Sequence, residues 1–94
     1  MDYVLSFDER ALKEFQSLDG SVREQFKKKL KNILVNPIVD AKKLRSLKDC
    51  YKIKLQSSGY RLVYQVDEEA KEVCVVAVGK REKQAAYTSA QRRL

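Results

Sequence analysis

The sequence predicts an α+β domain: a small, mainly antiparallel sheet in the order β-α-α-β-β-β, with two N-terminal helices packed on one face and a short C-terminal helix. Three observations carry this. Cys50–Val66 (CYKIKLQSSGYRLVYQV) reads as a hairpin in which apolar and cationic residues alternate. Residues 8–34 contain two runs of apolar residues at helical spacing. Glu72–Val78 (EVCVVAV) is apolar on both faces, as a central strand covered on both sides should be. The 94 residues are expected to form one domain, 1–94, without repeats or low-complexity linkers.

The elements follow in order. Tyr3–Phe7 is β-prone and apolar, a short first strand. Asp8 suits an N-cap and Glu9 the first helical turn. Ala11, Leu12, Phe15 and Leu18 make the apolar stripe of a first helix, which Asp19-Gly20 is expected to end. Ser21 with Glu24 fits a capping box and opens a second helix with the stripe Val22, Phe26, Leu30, Ile33 and Leu34. Asn36-Pro37 stops it. Lys27, Lys28, Lys29 and Lys31 lie on or beside its other face, which is either simply solvated or a contact surface for nucleic-acid backbone. Residues 38–49 form a positive connector through Lys42, Lys43, Arg45 and Lys48, pinned by Leu44 and Leu47.

In the hairpin, Tyr51, Ile53 and Leu55 pair with Tyr60, Leu62, Tyr64 and Val66 on one face if the Ser57-Ser58-Gly59 turn leaves an even loop. Parity then puts Lys52, Lys54 and Arg61 together on the other face, expected to be open. Three cations on one exposed face cost stability unless an anion is expected there, so this face reads as a phosphate site. After a polar turn at Asp67–Lys71 and the central strand, Gly79-Lys80-Arg81 leads into a partly helical tail, Lys83–Leu94.

Charge narrows the function. The net charge is +7, with segments 1–20 at −3, 21–48 at +7, 49–66 at +2, 67–79 at −3 and 80–94 at +4. A one-sided positive potential points to a polyanion, either nucleic acid or an acidic protein. The absence of histidine excludes a histidine-activated nucleophile, a histidine zinc site and a ribonuclease built on a histidine acid and base. Cys50 and Cys74 fall in strands without metal-type spacing and are expected to be reduced thiols in a cytoplasmic protein. No secretory leader opens the sequence, and no apolar run reaches the roughly 18 residues of a membrane span.

The candidate catalytic set is Lys52, Lys54, Arg61, Arg81 and Tyr87. Arg81 and Tyr87 reach the rim of the basic face if the last strand lies beside the hairpin. Cleaving RNA with its own 2′-hydroxyl requires a base, charge stabilisation on the non-bridging oxygens, and neutralisation of the departing 5′-oxygen. Arginine forks bind phosphate oxygens bidentately. A lysine crowded by cations loses its proton more easily. A tyrosine stacks on a base and has a proton to give. Such a site calls for no metal, histidine or cofactor. The same residues also fit a passive RNA-binding module.

The segments KLRSL (43–47), YKIKL (51–55), GYRLVYQV (59–66) and VGKRE (78–82), followed by Tyr87, closely resemble the RelE family, the toxins of bacterial RelBE toxin–antitoxin pairs. FDERALKEF (7–15) and VREQFKKKL (22–30) resemble that family's two helices, so the likeness spans essentially the whole chain. The resemblance implies a RelE-like, microbial-ribonuclease-type fold and a ribosome-dependent mRNA interferase that cuts mRNA in the A site, leaving a 2′,3′-cyclic phosphate and a 5′-hydroxyl. By position, it implies that Lys52 and Lys54 are the catalytic lysines and that Arg61 steadies the phosphate. It further implies that Arg81 lies near the leaving oxygen and that Tyr87 stacks on the cut nucleotide. Contact with mRNA and 16S rRNA is assigned to Arg45, Lys42, Lys43, Lys80, Lys27 and Lys28. Many relatives carry a histidine where this chain has Lys80, and the general base stays open between Lys54 and Tyr87. The implied partners are a RelB-like antitoxin, the small ribosomal subunit, and operator DNA through the antitoxin, with no membrane. A gyrase-inhibiting toxin of the ParE type shares the fold but lacks the catalytic set.

Overall fold

The computed structural model describes residues 2–80 and 85–94. The elements are β1 (Val4–Phe7), α1 (Glu9–Gln16), α2 (Gly20–Ile33), a 3-10 turn (Asp40–Lys42), β2 (Cys50–Leu55), β3 (Tyr60–Asp67), β4 (Glu72–Lys80) and α3 (Ala85–Arg93). The sheet order is β1-β4-β3-β2. β2–β3 and β3–β4 are antiparallel, whereas β1 joins β4 in parallel, so the sheet is mixed with an antiparallel majority.

The helix starts and stops show how local chemistry was resolved. Asp8 caps α1, its carboxylate accepting from the backbone N–H groups of Arg10 and Ala11 and from the Arg10 guanidinium. That guanidinium bond holds the Asp8 carboxyl down at about 2. The expected Asp19-Gly20 stop and Ser21–Glu24 capping box do not form. α1 ends at Gln16 with Ser17 as its C-cap, Asp19 takes the N-cap position of α2, and Gly20 is the first helical residue. Ser21 therefore lies inside α2 as its second residue, beyond the N-cap position, and its hydroxyl donates to the Asp19 carboxylate at 3.0 Å. Leu12, expected in the apolar stripe, is 38% exposed because the buried line runs through Ala11, Phe15 and Leu18.

The main core lies between the two helices and one sheet face. Ala11, Phe15, Val22, Phe26, Leu30 and Ile33 meet Tyr51, Ile53, Leu55, Leu62, Tyr64 and Val66, the apolar face expected of the hairpin. Tyr64 stacks on Tyr51 with ring centroids 5.5 Å apart, and its hydroxyl donates to the Pro37 carbonyl at 2.9 Å. The hairpin closes from Leu55 to Tyr60, an even loop of Gln56–Gly59, with Gly59 at φ 76°.

The other face is not left open. α3 covers its β3–β4 half, where Cys50, Val63, Val76, Ala77, Ala86 and Ala90 form a second core that Leu44, Leu47 and Tyr87 pack against. The physical reason lies in β4, whose two apolar faces each require cover. A register shift opposite Val63/Tyr64 leaves Val76 as an extra residue on β4 and turns it toward this second core. Burial pushes the Cys50 thiol up to about 11, as fits an inert packing group. No helix among the described residues is long and apolar enough to cross a membrane.

Candidate nucleic-acid interface

The basic face survives at the hairpin end of the sheet. Lys52 and Lys54 alternate with buried Ile53, so both project to the side opposite the main core. Lys54 is directly opposite Arg61, which puts their β-carbons about 5 Å apart. Lys52 pairs with Val63 of the second core, and Arg61 pairs across β4 with Gly79. Tyr87, half-buried, packs on that same second core from α3. The sheet and α3 therefore bring Lys52, Lys54, Arg61 and Tyr87 to one face. Arg81 lies outside the described residues.

The electrostatics of the face are unbalanced. Among the described residues the ion pairs are Arg10–Asp8, Lys27–Glu24 and Arg93–Glu14, and none involves Lys52, Lys54 or Arg61. The Lys54 ammonium is pushed below its ordinary 10.5, first by the charge of Lys52, then by partial desolvation and by Arg61. Arg61 is half-buried, and its Nη1 is a buried donor with no hydrogen-bond partner among the described residues. A buried unpaired donor on a permanent cation is costly unless an anion completes it. The carboxylates gather elsewhere: Asp49, Asp67, Glu68, Glu69 and Glu72 line a depression of about 580 Å³ at the opposite end of the strands.

The expected RNA-contact residues divide by position. Lys42 lines a pocket of about 220 Å³ with Lys29, Ala41, Lys52, Ile53 and Lys54. Lys43 and Arg45 are exposed on the adjoining connector, where Lys43 bridges to Tyr51 of β2. Lys28 is exposed on α2; Lys27 pairs with Glu24 at 3.3 Å and borders an apolar hollow with Leu5, Phe7 and Leu34. Lys80 falls in register with Tyr60, on the helix side of the sheet, with its Nζ 5.9 Å from the Tyr60 ring centre. The structure thus separates Lys27 and Lys80 from Lys52, Lys54 and Arg61.

Lys29, named in the basic run of α2 but not among the expected RNA-contact residues, lines the Lys42 pocket as well. It follows Val22 by seven residues and precedes Ile33 by four, so it rides on the rim of the buried stripe and reaches the edge of β2. That spacing was the available signal.

Comparison with known proteins places the chain among related sequences and structures. The model of the ParE toxin of the type II toxin–antitoxin system parDE matches residues 5–85. The mRNA interferase toxin RelE of Escherichia coli (strain K12) is 57% identical over 94 residues, covering 100% of this chain and 99% of that protein. An arginine double mutant of E. coli toxin RelE, solved in the free state, superposes with a TM-score of 0.92 at 56% identity, covering 100% and 99% of the two chains. The toxin in the intact E. coli RelBE toxin–antitoxin complex gives 0.83 at 60% identity, over 86% of this chain and 99% of that one.

Proposed function

From the premise that the chain belongs to the RelE/ParE family of type II toxin–antitoxin toxins, we propose that it is an mRNA interferase: an endoribonuclease that cuts mRNA in the ribosomal A site and arrests translation. The observation that carries the reading is the buried Nη1 of Arg61, which has no partner among the described residues and stands opposite Lys54 in a cationic pair suited to an anion. The scissile phosphate is that anion. Arg61 takes its non-bridging oxygens and stabilises the charge that grows on them in the transition state. Lys54, its proton loosened by Lys52, accepts the 2′-hydroxyl proton as that oxygen attacks phosphorus. Tyr87 stacks on the nucleotide at the cut, and Arg81 stabilises the charge on the departing 5′-oxygen, which takes a proton from water to become the 5′-hydroxyl. The products are a 2′,3′-cyclic phosphate and a 5′-hydroxyl, and no residue in this scheme requires a metal.

Lys29, Lys42, Lys43 and Arg45 carry the basic face outward for mRNA and 16S rRNA. A RelB-like antitoxin neutralises the toxin and brings it to operator DNA. The toxin acts in the cytoplasm, where ribosomes are. The solved complexes of related toxins with RelB antitoxins support the antitoxin partner.

The deciding experiment is cleavage in a purified translation system, with and without ribosomes, with the new 5′ ends mapped. Cuts confined to the A-site codon of ribosome-bound message are expected. A well-folded sample that leaves such message intact overturns the proposal; inhibition of gyrase by that sample would move the chain to the ParE branch.

Two further results are expected. The cleavage rate rises with pH to an inflection below 10.5, and Lys52→Ala moves the inflection upward. The sign follows from the cause: removing the Lys52 charge favours protonated Lys54, so a higher pH is needed to free the base. The same depressed value means that the unfolded chain holds more protons between that inflection and 10.5, so stability rises with pH across the window. Lys29→Ala is expected to weaken RNA binding without altering the pH inflection. It should also reduce the slope of log affinity against log salt by about 1, measured by fluorescence anisotropy on single-stranded RNA.

A further inference from the structure

α3 is held by little apolar surface. Of its nine residues only Ala86 and Ala90 are buried, with Tyr87 half-buried between them. Two methyl groups supply little of the area on which hydrophobic docking depends. Something else must fix this helix.

Its first turn is seated on Gly79, where an added Cβ would stand 3.1 Å from the Ala86 nitrogen and 3.2 Å from the Ala85 Cβ. Its last turn is fastened by Arg93, whose side chain is only 11% exposed. The Arg93 Nη1 donates to Glu14 Oε1 at 2.8 Å and to the Val76 carbonyl at 2.8 Å, and Nη2 donates to Glu14 Oε2 at 3.1 Å. Glu14 Oε1 in turn accepts the Val78 N–H at 3.2 Å.

The location explains the pairing. β1 covers β4 only as far as Val75, opposite Phe7; the remaining residues of β4 have a strand partner on the β3 side alone. Glu14 from α1 and Arg93 from α3 supply to Val78 and Val76 the acceptor and donor that a longer β1 would have given. A fork–fork pair of this kind is among the stronger polar contacts, and its partial burial limits screening.

We propose that Glu14 and Arg93 form a backbone-anchored latch that positions α3, and through it Tyr87, over the basic face. Arg93 is thus a positioning residue for phosphodiester cleavage, one that does not touch RNA. The catalytic half of this rests on the reading of Tyr87 as a participant in cleavage; the latch itself does not.

Two measurements on the full chain test it. Amide hydrogen exchange in Arg93→Ala and Glu14→Gln should be about tenfold faster or more across Ala86–Ala90, with the α2 amides around Phe26 unchanged. Unchanged exchange in α3 overturns the latch, whether or not the protein cleaves RNA. In cleavage, Arg93→Ala should lower kcat in the parent but add no loss to Tyr87→Ala, because the tyrosine it positions is gone. Losses that multiply overturn the positioning role. The charge-swapped pair Glu14→Arg with Arg93→Glu separates a latch from a plain ion pair. The swap sets a guanidinium against the Val78 N–H and a carboxylate against the Val76 carbonyl, so fast α3 exchange should persist; restored protection overturns the backbone anchoring.

Discussion

Replacing Arg61 by methionine is expected to cut ribosome-dependent cleavage by about 10²-fold or more while leaving the melting temperature unchanged or higher. The two effects separate for a physical reason. Among the described residues Arg61 enters no ion pair and its buried Nη1 has no partner, and its neighbour across the strand pair is the cation Lys54. On the proposed function, its charge costs stability in the free protein and is offset when phosphate binds. Methionine keeps the aliphatic stem that packs against the sheet and removes the unsatisfied donor. Arg61→Lys should fall between the two in activity, because an ammonium keeps the charge but not the planar fork. The paired measurements are A-site cleavage rate and thermal unfolding by circular dichroism. A fall in both together would place Arg61 in the fold instead of the chemistry.

Phe26→Ala is expected to lower unfolding free energy by about 3–5 kcal/mol. Phe26 is 0% exposed at the middle of α2, with its ring centroid 6.5 Å from that of Phe15, and it sits where both helices meet the sheet. Against a typical domain stability of roughly 5–15 kcal/mol, that loss leaves a protein near its unfolding limit at physiological temperature. Urea denaturation gives the number. Leu12→Ala on the neighbouring helix serves as the control, since a residue 38% exposed has less contact to lose. A loss below about 1 kcal/mol for Phe26→Ala would mean that the site collapses around the deletion and that the core is less tightly specified than its burial implies.

The hairpin was legible from residue parity. A period of two, an even loop and one apolar face fixed which cations stand together, and β2 pairs with β3 in the expected sense. Asp8 was legible because a single acceptor stood before a single apolar run. Asp19 and Ser21 competed for the next cap, and composition does not say which one engages the other. The cover over the second face was half legible: Glu72–Val78 demanded it, but Ala85–Arg93 offers only small alanines to answer the demand, a weak periodic signal. The parallel pairing of β1 with β4 leaves no mark on either strand's composition. Glu14 reads as one more solvated charge on α1; its role appears only when α1, α3 and the end of β1 are placed together in space.

The same parallel pairing has a consequence for how the molecule comes into being. Val4 lies against Glu72 and Phe7 against Val75, partners sixty-eight positions apart. A chain emerging from its own ribosome can form α1, α2 and a transient β2–β3 hairpin, yet such a hairpin is marginal alone in water, and β1 has nothing to join until β4 is made. Closing so long a loop makes assembly slow relative to a helical protein of this length, and it postpones the finished basic face to the end of synthesis. On the proposed function, a toxin built in this order is assembled last at its active face, and the interval before β4 and α3 settle is one in which that face is still incomplete.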